Sequence, residues 1–354
     1  MTSNPPGSPP SIGTAALRLS ICIPTYNFGN FIGETLASIV AQLEPGVEVV
    51  ILDSGSTDET ARVVGELQRR HASVRYEYAP ERGGIDRDMA KVVELARGEY
   101  CWLFSADDIM GDGAIARVLA ATSHRDDVLL CMHSTNSLTM ELIEPSYPVL
   151  ASDEPAHFQL GDQRDQIRYF QLAATTEAFF SFIGGLVVRT ATWRSVPLDE
   201  RFVGTCWAHV ARLFLIMQSR LSVRFLGQTL LARRGDNDSF ATEGVVRRYR
   251  LAIVGYLDLG RHFWGEQSPQ TFHIRRVLRR EFPLGLLLRA KAACMRNPAK
   301  EDRSLLDDLA ERLYADGSWS CTARLWIYRW FPVAMVSPAR SLYRLLRGRS
   351  PRLG

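Results

Sequence analysis

Several common signatures are missing from this chain of 354 residues, and each absence removes a class of protein. The six cysteines (Cys22, Cys101, Cys131, Cys206, Cys294 and Cys321) are scattered and form no C-x-x-C pair. That spacing argues against a zinc knuckle or a redox dithiol and for buried free thiols in a reducing cytosol. No run reaches the roughly 18 apolar residues of a membrane-spanning helix. The opening MTSNPPGSPPSIGTAA has neither a basic n-region nor an apolar h-region, so residues 1–16 read as a disordered tail and not as a signal peptide. The expected location is the cytoplasm, including the inner face of the cytoplasmic membrane. The first strand-to-helix turn, residues 24–31, lacks G-x-G-x-x-G, which sets aside a dinucleotide-dependent oxidoreductase. Charge is nearly balanced, with 42 basic against 39 acidic residues, and so gives no ground for a nucleic-acid partner. There is no internal repeat.

What is present is an alternation. Residues 17–24, 47–52, 74–78 and 100–104 are short apolar runs rich in β-branched residues and read as buried strands. Between them lie helical patterns at residues 31–42, after Thr57-Asp58, and at 86–96. Four strand–helix repeats in this space imply a mostly parallel sheet with helices on both faces. Ligands of such sheets bind outside the carboxyl ends of the strands. The polar clusters sit at those ends: Thr25-Tyr26-Asn27, Asp53-Ser54, Arg82-Gly83-Gly84 and Asp107-Asp108. Further on the order loosens. Strands are expected at 127–132 and 223–231, helices at 163–174 and 213–219, a Gly-interrupted apolar segment at 179–189 and a polar loop at 233–239. Helices dominate from Val245 onward.

Four of these segments carry a resemblance. Ser20-Ile21-Cys22-Ile23-Pro24-Thr25-Tyr26-Asn27 resembles the opening of family-2 glycosyltransferases, which have the GT-A fold. Residues 31–39, 48–58 and 98–108 are similar to that family's first helix, its second strand and loop, and the strand ending in its metal-binding motif. More narrowly, Gly84-Ile85-Asp86-Arg87-Asp88, residues 201–204 with Trp207-Ala208-His209-Val210, and residues 234–240 are similar to bacterial abequosyltransferase-type enzymes. Those transfer dideoxyhexoses in O-antigen assembly. The resemblance implies a GT-A, Rossmann-like α/β domain over residues 17–240, with a nucleotide-binding half at 17–120 and an acceptor half at 121–240. A mainly helical region, 241–354, follows.

Two adjacent carboxylates at a strand end suit a divalent cation that offsets the charge gathering on a nucleoside-diphosphate leaving group. Mg²⁺ or Mn²⁺ fits an all-oxygen site. The other use for Asp107 and Asp108 is to cap the next helix. By resemblance Asp107 sits near the ribose or the metal and Asp108 ligates the metal, with Ser105 standing where the family often has Asp. Asp53 is expected to accept from a pyrimidine base, or else to cap a helix, and Pro24, Thr25, Tyr26 and Asn27 to hold base and ribose, the other use for Tyr26 being wall packing. Gly84 permits close approach of the backbone to the ligand. Asp86 is assigned to base or sugar. Arg87 is assigned to the diphosphate, or else to a surface ion pair with Asp86. Arg234 belongs to a loop that either closes on the diphosphate or is a solvated turn.

The family's usual Glu-Asp pair has no counterpart in residues 204–209. His209 is therefore the candidate general base, or an extra metal or diphosphate ligand, ahead of Asp199 and Glu200. Trp207 either stacks on a sugar or fills core space. The stretch 319–349 interleaves aromatics with arginines, which suits either a helix in the lipid headgroup region or a helical subdomain docked on the core.

The resemblance implies an inverting, metal-dependent glycosyltransferase with a CDP- or UDP-sugar donor, a 3,6-dideoxyhexose in the narrower version. The acceptor is an undecaprenyl-diphosphate-linked oligosaccharide or another glycan of bacterial surface polysaccharide. A catalytically silent, sugar-nucleotide-binding subunit of a glycan-assembly complex stays open beside it.

Overall fold

The computed structural model describes residues 16–237, 243–314 and 316–332. The N-terminal tail, the far end of the 233–239 loop and the arginines from Arg340 onward lie outside them. The chain begins β1 (Leu19–Thr25), α1 (Ile32–Val40), β2 (Val47–Asp53), α2 (Thr60–Gln68), β3 (Val74–Tyr78), α3 (Ile85–Leu95) and β4 (Tyr100–Leu103). These are the four expected repeats. Every residue of β1, β2 and β4 is buried, because helices cover both faces of the sheet. The period-2 alternation of a strand sorts them. Leu19, Ile21, Ile23, Val49 and Ile51 enter one core with α1, while Cys22, Val50 and Leu52 enter the other. Asp58 accepts from the first helical amide of α2, Thr60 N–H, at 3.0 Å.

The second half continues with β5 (Ile109–Met110), α4 (Ala114–Ala121), β6 (Val128–Asn136), β7 (Leu142–Glu144), β8 (Ala156–Gln159), α5 (Gln163–Leu172), β9 (Leu186–Arg189), α6 (Thr190–Arg194), α7 (Ala208–Met217) and β10 (Ser222–Arg234). Strand order is β3-β2-β1-β4-β9-β6-β10-β5, with β7 on β6 and β8 on β10. Pairing is parallel from β3 to β4 and between β6 and β10; β9 is inserted antiparallel to both β4 and β6. The sheet is thus mixed but mostly parallel.

Three sequence expectations need correction here. The helix expected at 213–219 starts earlier, at Ala208, because Asp86 caps its amides from another element. The strand expected at 223–231 runs on through Arg234, so Arg233 and Arg234 belong to a strand and not to a loop. The Gly-interrupted segment 179–189 starts at the end of one short 3₁₀ turn, Thr176–Phe179, and holds a second, Ile183–Gly185, and β9.

Among the described residues five helices follow: α8 (Val245–Trp264), α9 (Pro269–Glu281), α10 (Leu284–Arg296), α11 (Arg303–Leu313) and α12 (Trp319–Trp330). Their buried residues, among them Ile253, Tyr256, Ile274, Leu278, Leu287, Leu309 and Tyr328, join Phe179, Phe214 and Val223 in one continuous core. No helix among the described residues is long and apolar enough to cross a membrane.

One irregularity aims the end of β10. Its register against β6 shifts between Phe225 and Thr229. Gly227 sits in that bulge at φ +63°, where an added methyl group would collide with the carbonyl of Asp153. Only glycine takes this conformation without strain. Gly227→Ala is expected to lower stability by more than about 1 kcal/mol, read as an earlier midpoint in urea unfolding.

Candidate active site

At the carboxyl end of the parallel strands lies a cleft of about 770 Å³. Its walls come from Pro24 and Thr25 at the end of β1 with Tyr26 beyond it, Arg82–Gly84 before α3 with Ile85 at its start, Ser105–Asp108 after β4, and Arg233–Asn237 at the end of β10. The remaining wall is built by Ser181–Ile183, the 203–207 loop, His209 and the first turns of α8. Of the four polar strand ends expected to converge, three do. The exception is Asp53-Ser54.

The aspartate pair is buried, Asp107 at 7% and Asp108 at 2% exposure. It leads into β5 and not into a helix, and α4 begins at a Gly113 cap without a side-chain bond. The capping alternative therefore falls. Asp107 accepts from Ser105 Oγ and from Asn237 Nδ2 at 2.9 Å. Asp108 Oδ1 accepts from the Arg234 amide at 2.9 Å, while Oδ2 is buried with no partner. Burial, and then the charge of Asp107, pushes the Asp108 carboxyl up to about 7.

An unpaired carboxylate oxygen beside a second carboxylate, both hard donors, fits a small divalent cation. Among the described residues no group of three or more His, Cys, Asp or Glu side chains is placed to hold a metal ion. A nucleotide-associated cation needs only one or two carboxylates, because substrate phosphates complete its shell.

Arg234 fastens this pair in place. Its Nε donates to the Asp107 carbonyl at 2.9 Å, Nη1 to the Leu138 carbonyl at 2.7 Å and Nη2 to Glu34 at 2.6 Å. Its guanidinium also lies over the Phe31 ring at 5.1 Å. Arg234 lines the cleft, but all three guanidinium nitrogens already donate within the protein. The neighbouring Arg233 lies over the Phe182 ring at 5.7 Å and also faces the cleft.

Opposite, Asp86 holds the loop that leads into α7. Its carboxylate accepts from the amides of Gly204 (2.8 Å), Cys206 (3.0 Å) and Ala208 (3.0 Å). Asp86 thus caps a helix from the first turn of α3, and it forms no ion pair with Arg87. His209 follows in the first turn of α7, 3% exposed. Its Nε2–H donates to the Phe180 carbonyl at 2.9 Å, since a carbonyl can only accept. Nδ1 therefore carries the lone pair, and it is buried without a partner. Burial holds the imidazole below its ordinary value, against smaller opposing effects of the Phe180 carbonyl and the charge of Asp86. Trp207 donates from Nε1 to the Leu251 carbonyl at 2.8 Å and packs on Tyr256 at 4.8 Å, so it is core and cleft wall at once.

Three further candidates lie outside the cleft wall. Asp53 is fully buried and accepts from Tyr76 OH at 2.6 Å and the Ser56 amide at 2.8 Å. Asn27 clips two loops together, donating its amide to Ser56 Oγ and accepting from the Thr57 amide, both at 2.8 Å. Arg87 forms an exposed bidentate pair with Glu200 at 2.6 and 2.9 Å. Asp199 pairs with Arg201 instead of facing the cleft. The sequence reading placed Arg82, Asp88 and Arg233 in its motifs but gave them no individual role; Arg82 covers the Tyr26 ring at 4.2 Å, and the reading missed the cleft-lining Glu243 and Arg248. Position at a strand end was the available signal for Arg82. None marked the start of α8.

The fold defines the class. The structure of S. aureus TarS 1–349 in complex with UDP-GlcNAc superposes with a TM-score of 0.58 at 18% identity, over 95% of this chain and 94% of that one. This is the GT-A architecture of glycosyltransferases. The model of glycosyl transferase family 2 matches residues 20–173. Abequosyltransferase RfbV of Salmonella typhimurium is 27% identical over 293 residues, 81% of this chain and 88% of the relative. Chondroitin synthase of Escherichia coli is 34% identical over 119 residues, 33% of this chain and 17% of that protein. Residues 20–173 are thus similar to family-2 glycosyltransferases, and the chain is a glycosyltransferase.

Asp86→Ala leaves three amides of one loop without their acceptor. The amides of Gly204, Cys206 and Ala208 are expected to exchange with solvent deuterium at least about tenfold faster, with a loss of at least ~1 kcal/mol in global stability. Unchanged protection at these positions would show that the loop is held by other contacts.

Proposed function

We propose that this glycosyltransferase moves a sugar from a CDP- or UDP-linked donor to a glycan, in the first instance an undecaprenyl-diphosphate-linked oligosaccharide of bacterial surface polysaccharide. The observation that carries the reading is the Asp107–Asp108 pair lining the cleft, with one buried carboxylate oxygen left unpartnered among the described residues. Similarity to an abequosyltransferase along most of both chains favours a 3,6-dideoxyhexose donor and a place in O-antigen synthesis. The UDP-sugar held by TarS supports a nucleotide-activated donor.

In this reading Asp107 and Asp108 hold Mg²⁺ or Mn²⁺. When bound, that cation supplies positive charge against the diphosphate leaving group. Pro24, Thr25 and Tyr26, the last with its ring under the Arg82 guanidinium, form the wall against the base and ribose. The Gly84 backbone leaves room for close approach, as nothing lies within 4 Å of where its Cβ would be. Arg82 and Arg233 face the diphosphate as cations. We assign Asp53, Asn27, Asp86, Arg87 and Arg234 to supporting this wall through the contacts described above.

Transfer is a single displacement with inversion. The acceptor oxygen attacks the anomeric carbon, the bond from that carbon to the phosphate oxygen breaks, and its electron pair leaves on the nucleoside diphosphate. The hydroxyl proton passes to His209 Nδ1, the lone pair fixed by the Nε2–H bond to Phe180. An imidazole held below its ordinary value stays neutral, and so able to accept, throughout the neutral pH range.

Two measurements test this. In thermal-shift titrations against CDP-, UDP-, GDP- and TDP-sugars, a CDP- or UDP-sugar with Mn²⁺ is expected to raise the midpoint, and Asp108→Asn to remove the Mn²⁺-dependent part. A panel in which no nucleotide sugar shifts the protein overturns the proposal. His209→Ala is expected to lower kcat by about 10²-fold or more with donor KM little changed. Unchanged turnover would remove His209 from the mechanism.

A further inference from the structure

The molecule exposes its aromatic side chains very unevenly. Trp102, Trp193 and Trp207 are buried at 0%, 1% and 8% exposure, whereas Trp319, Trp326 and Trp330 stand at 85%, 63% and 70%. All three exposed tryptophans belong to α12. Their spacings of seven and four residues place them on one face of the helix.

The opposite face is fixed. Cys321 and Tyr328 are buried at 2% and 1%, Tyr328 OH donates to Asp307 on α11 at 2.5 Å, and Lys291 on α10 donates to the Tyr328 carbonyl at 2.5 Å. Ser318 caps the helix start through the Cys321 amide at 3.3 Å. The tryptophan stripe is thus held outward by packing on its reverse side.

Charge identifies what meets the stripe. After Asp316 the chain has seven arginines and no Asp, Glu or Lys, which exceeds the +3 net charge of the whole protein. Arg324 and Arg329 lie on either side of the tryptophan face, Arg329 paired with Glu311 at 2.7 Å. A second copy docked on this face would set arginine against arginine with no acid from the same stretch to relieve them. An anionic lipid surface offers the opposite sign, and indole is the side chain that settles between headgroups and acyl chains, with its ring in the apolar part and its N–H in the wet part.

We propose that α12 docks this enzyme on a membrane, its Trp319–Trp326–Trp330 face lying in the headgroup layer of a bilayer that contains anionic lipid. The helix lies along the surface, since its 12 residues are too few to cross a bilayer. Docking is independent of the donor and of the glycosyl transfer, so it stands or falls apart from the function proposed above.

The test is co-sedimentation of the full chain with phosphatidylcholine vesicles, with and without phosphatidylglycerol, at low and high salt and without substrates. The native protein is expected to bind the phosphatidylglycerol vesicles, to release in high salt, and to have its tryptophan emission quenched by lipids carrying a spin label near the headgroup. The double substitution Trp326→Ser and Trp330→Ser alters only exposed positions; it is expected to keep the native circular dichroism and lose at least tenfold in partitioning. The proposal is overturned if anionic vesicles do not bind the protein or if the double variant binds as well as the native chain. It is equally overturned if light scattering shows a dimer that the double variant dissolves while vesicles are ignored. Binding gained only on deletion of residues 333–354 would show that the chain's own end covers the stripe, and would overturn it as well.

Discussion

The active site depends on a single arginine. Arg234 reaches α1 through Glu34, the β6–β7 connection through the Leu138 carbonyl, and the aspartate loop through both its side chain and its amide. The two adjacent carboxylates are costly to bury, and the raised Asp108 carboxyl is a direct sign of that cost. Arg234 offsets part of it with three contacts to the Asp107–Asp108 segment and the neighbouring loops. Asp108 lines the cleft, and its second oxygen is left without a partner among the described residues. Phe31, under the guanidinium, makes the same residue part of the apolar packing. Removing it would loosen α1, β10 and the aspartates together.

The opposite wall follows the same logic with different groups. Three consecutive carbonyls, those of Ala178, Phe179 and Phe180, accept from side chains: Tyr169 OH, Tyr256 OH and His209 Nε2–H. Glu281 on α9 accepts from the Thr176 amide at 2.8 Å, and Glu177 meets His133 at 2.7 Å. Groups from the sheet, α5, α7, α8 and α9 thus converge on one irregular turn. This explains why the helical region shares a core with the sheet. Its first helices set the orientation of the imidazole that lines the cleft.

Much of this was legible in the sequence, and the limit has a physical form. Strand burial and helix period are local, so the four β–α repeats and the convergence of Thr25-Tyr26, Gly83-Gly84 and Asp107-Asp108 could be read from spacing. What each polar side chain touches is not local. Arg87 meets Glu200 across 113 residues, Asp86 meets Ala208 across 122, and Arg234 meets Glu34 across 200. No pattern along the chain announces such pairs. Asp53 and Asn27 sit at the right strand ends, yet their hydrogen-bonding capacity turns to Tyr76, Ser56 and Thr57. The start of α7 was placed too late for the same reason: the carboxylate that caps it lies on another helix.

The insertion of β9 between β4 and β6 has a consequence for biosynthesis. The first four strands emerge from the ribosome as a parallel unit whose β4 edge has no neighbour until residues 186–189 follow. The amide of Arg234 that meets Asp108 comes 126 residues after it, which is about ten seconds at ordinary rates of translation. During that interval the two aspartates are hydrated charges on an open sheet edge, and only the arrival of β10 turns them into a buried pair. The nascent chain therefore has to keep its bare edge unpaired until β9 is made, and its most polar strand end in water until β10 is made.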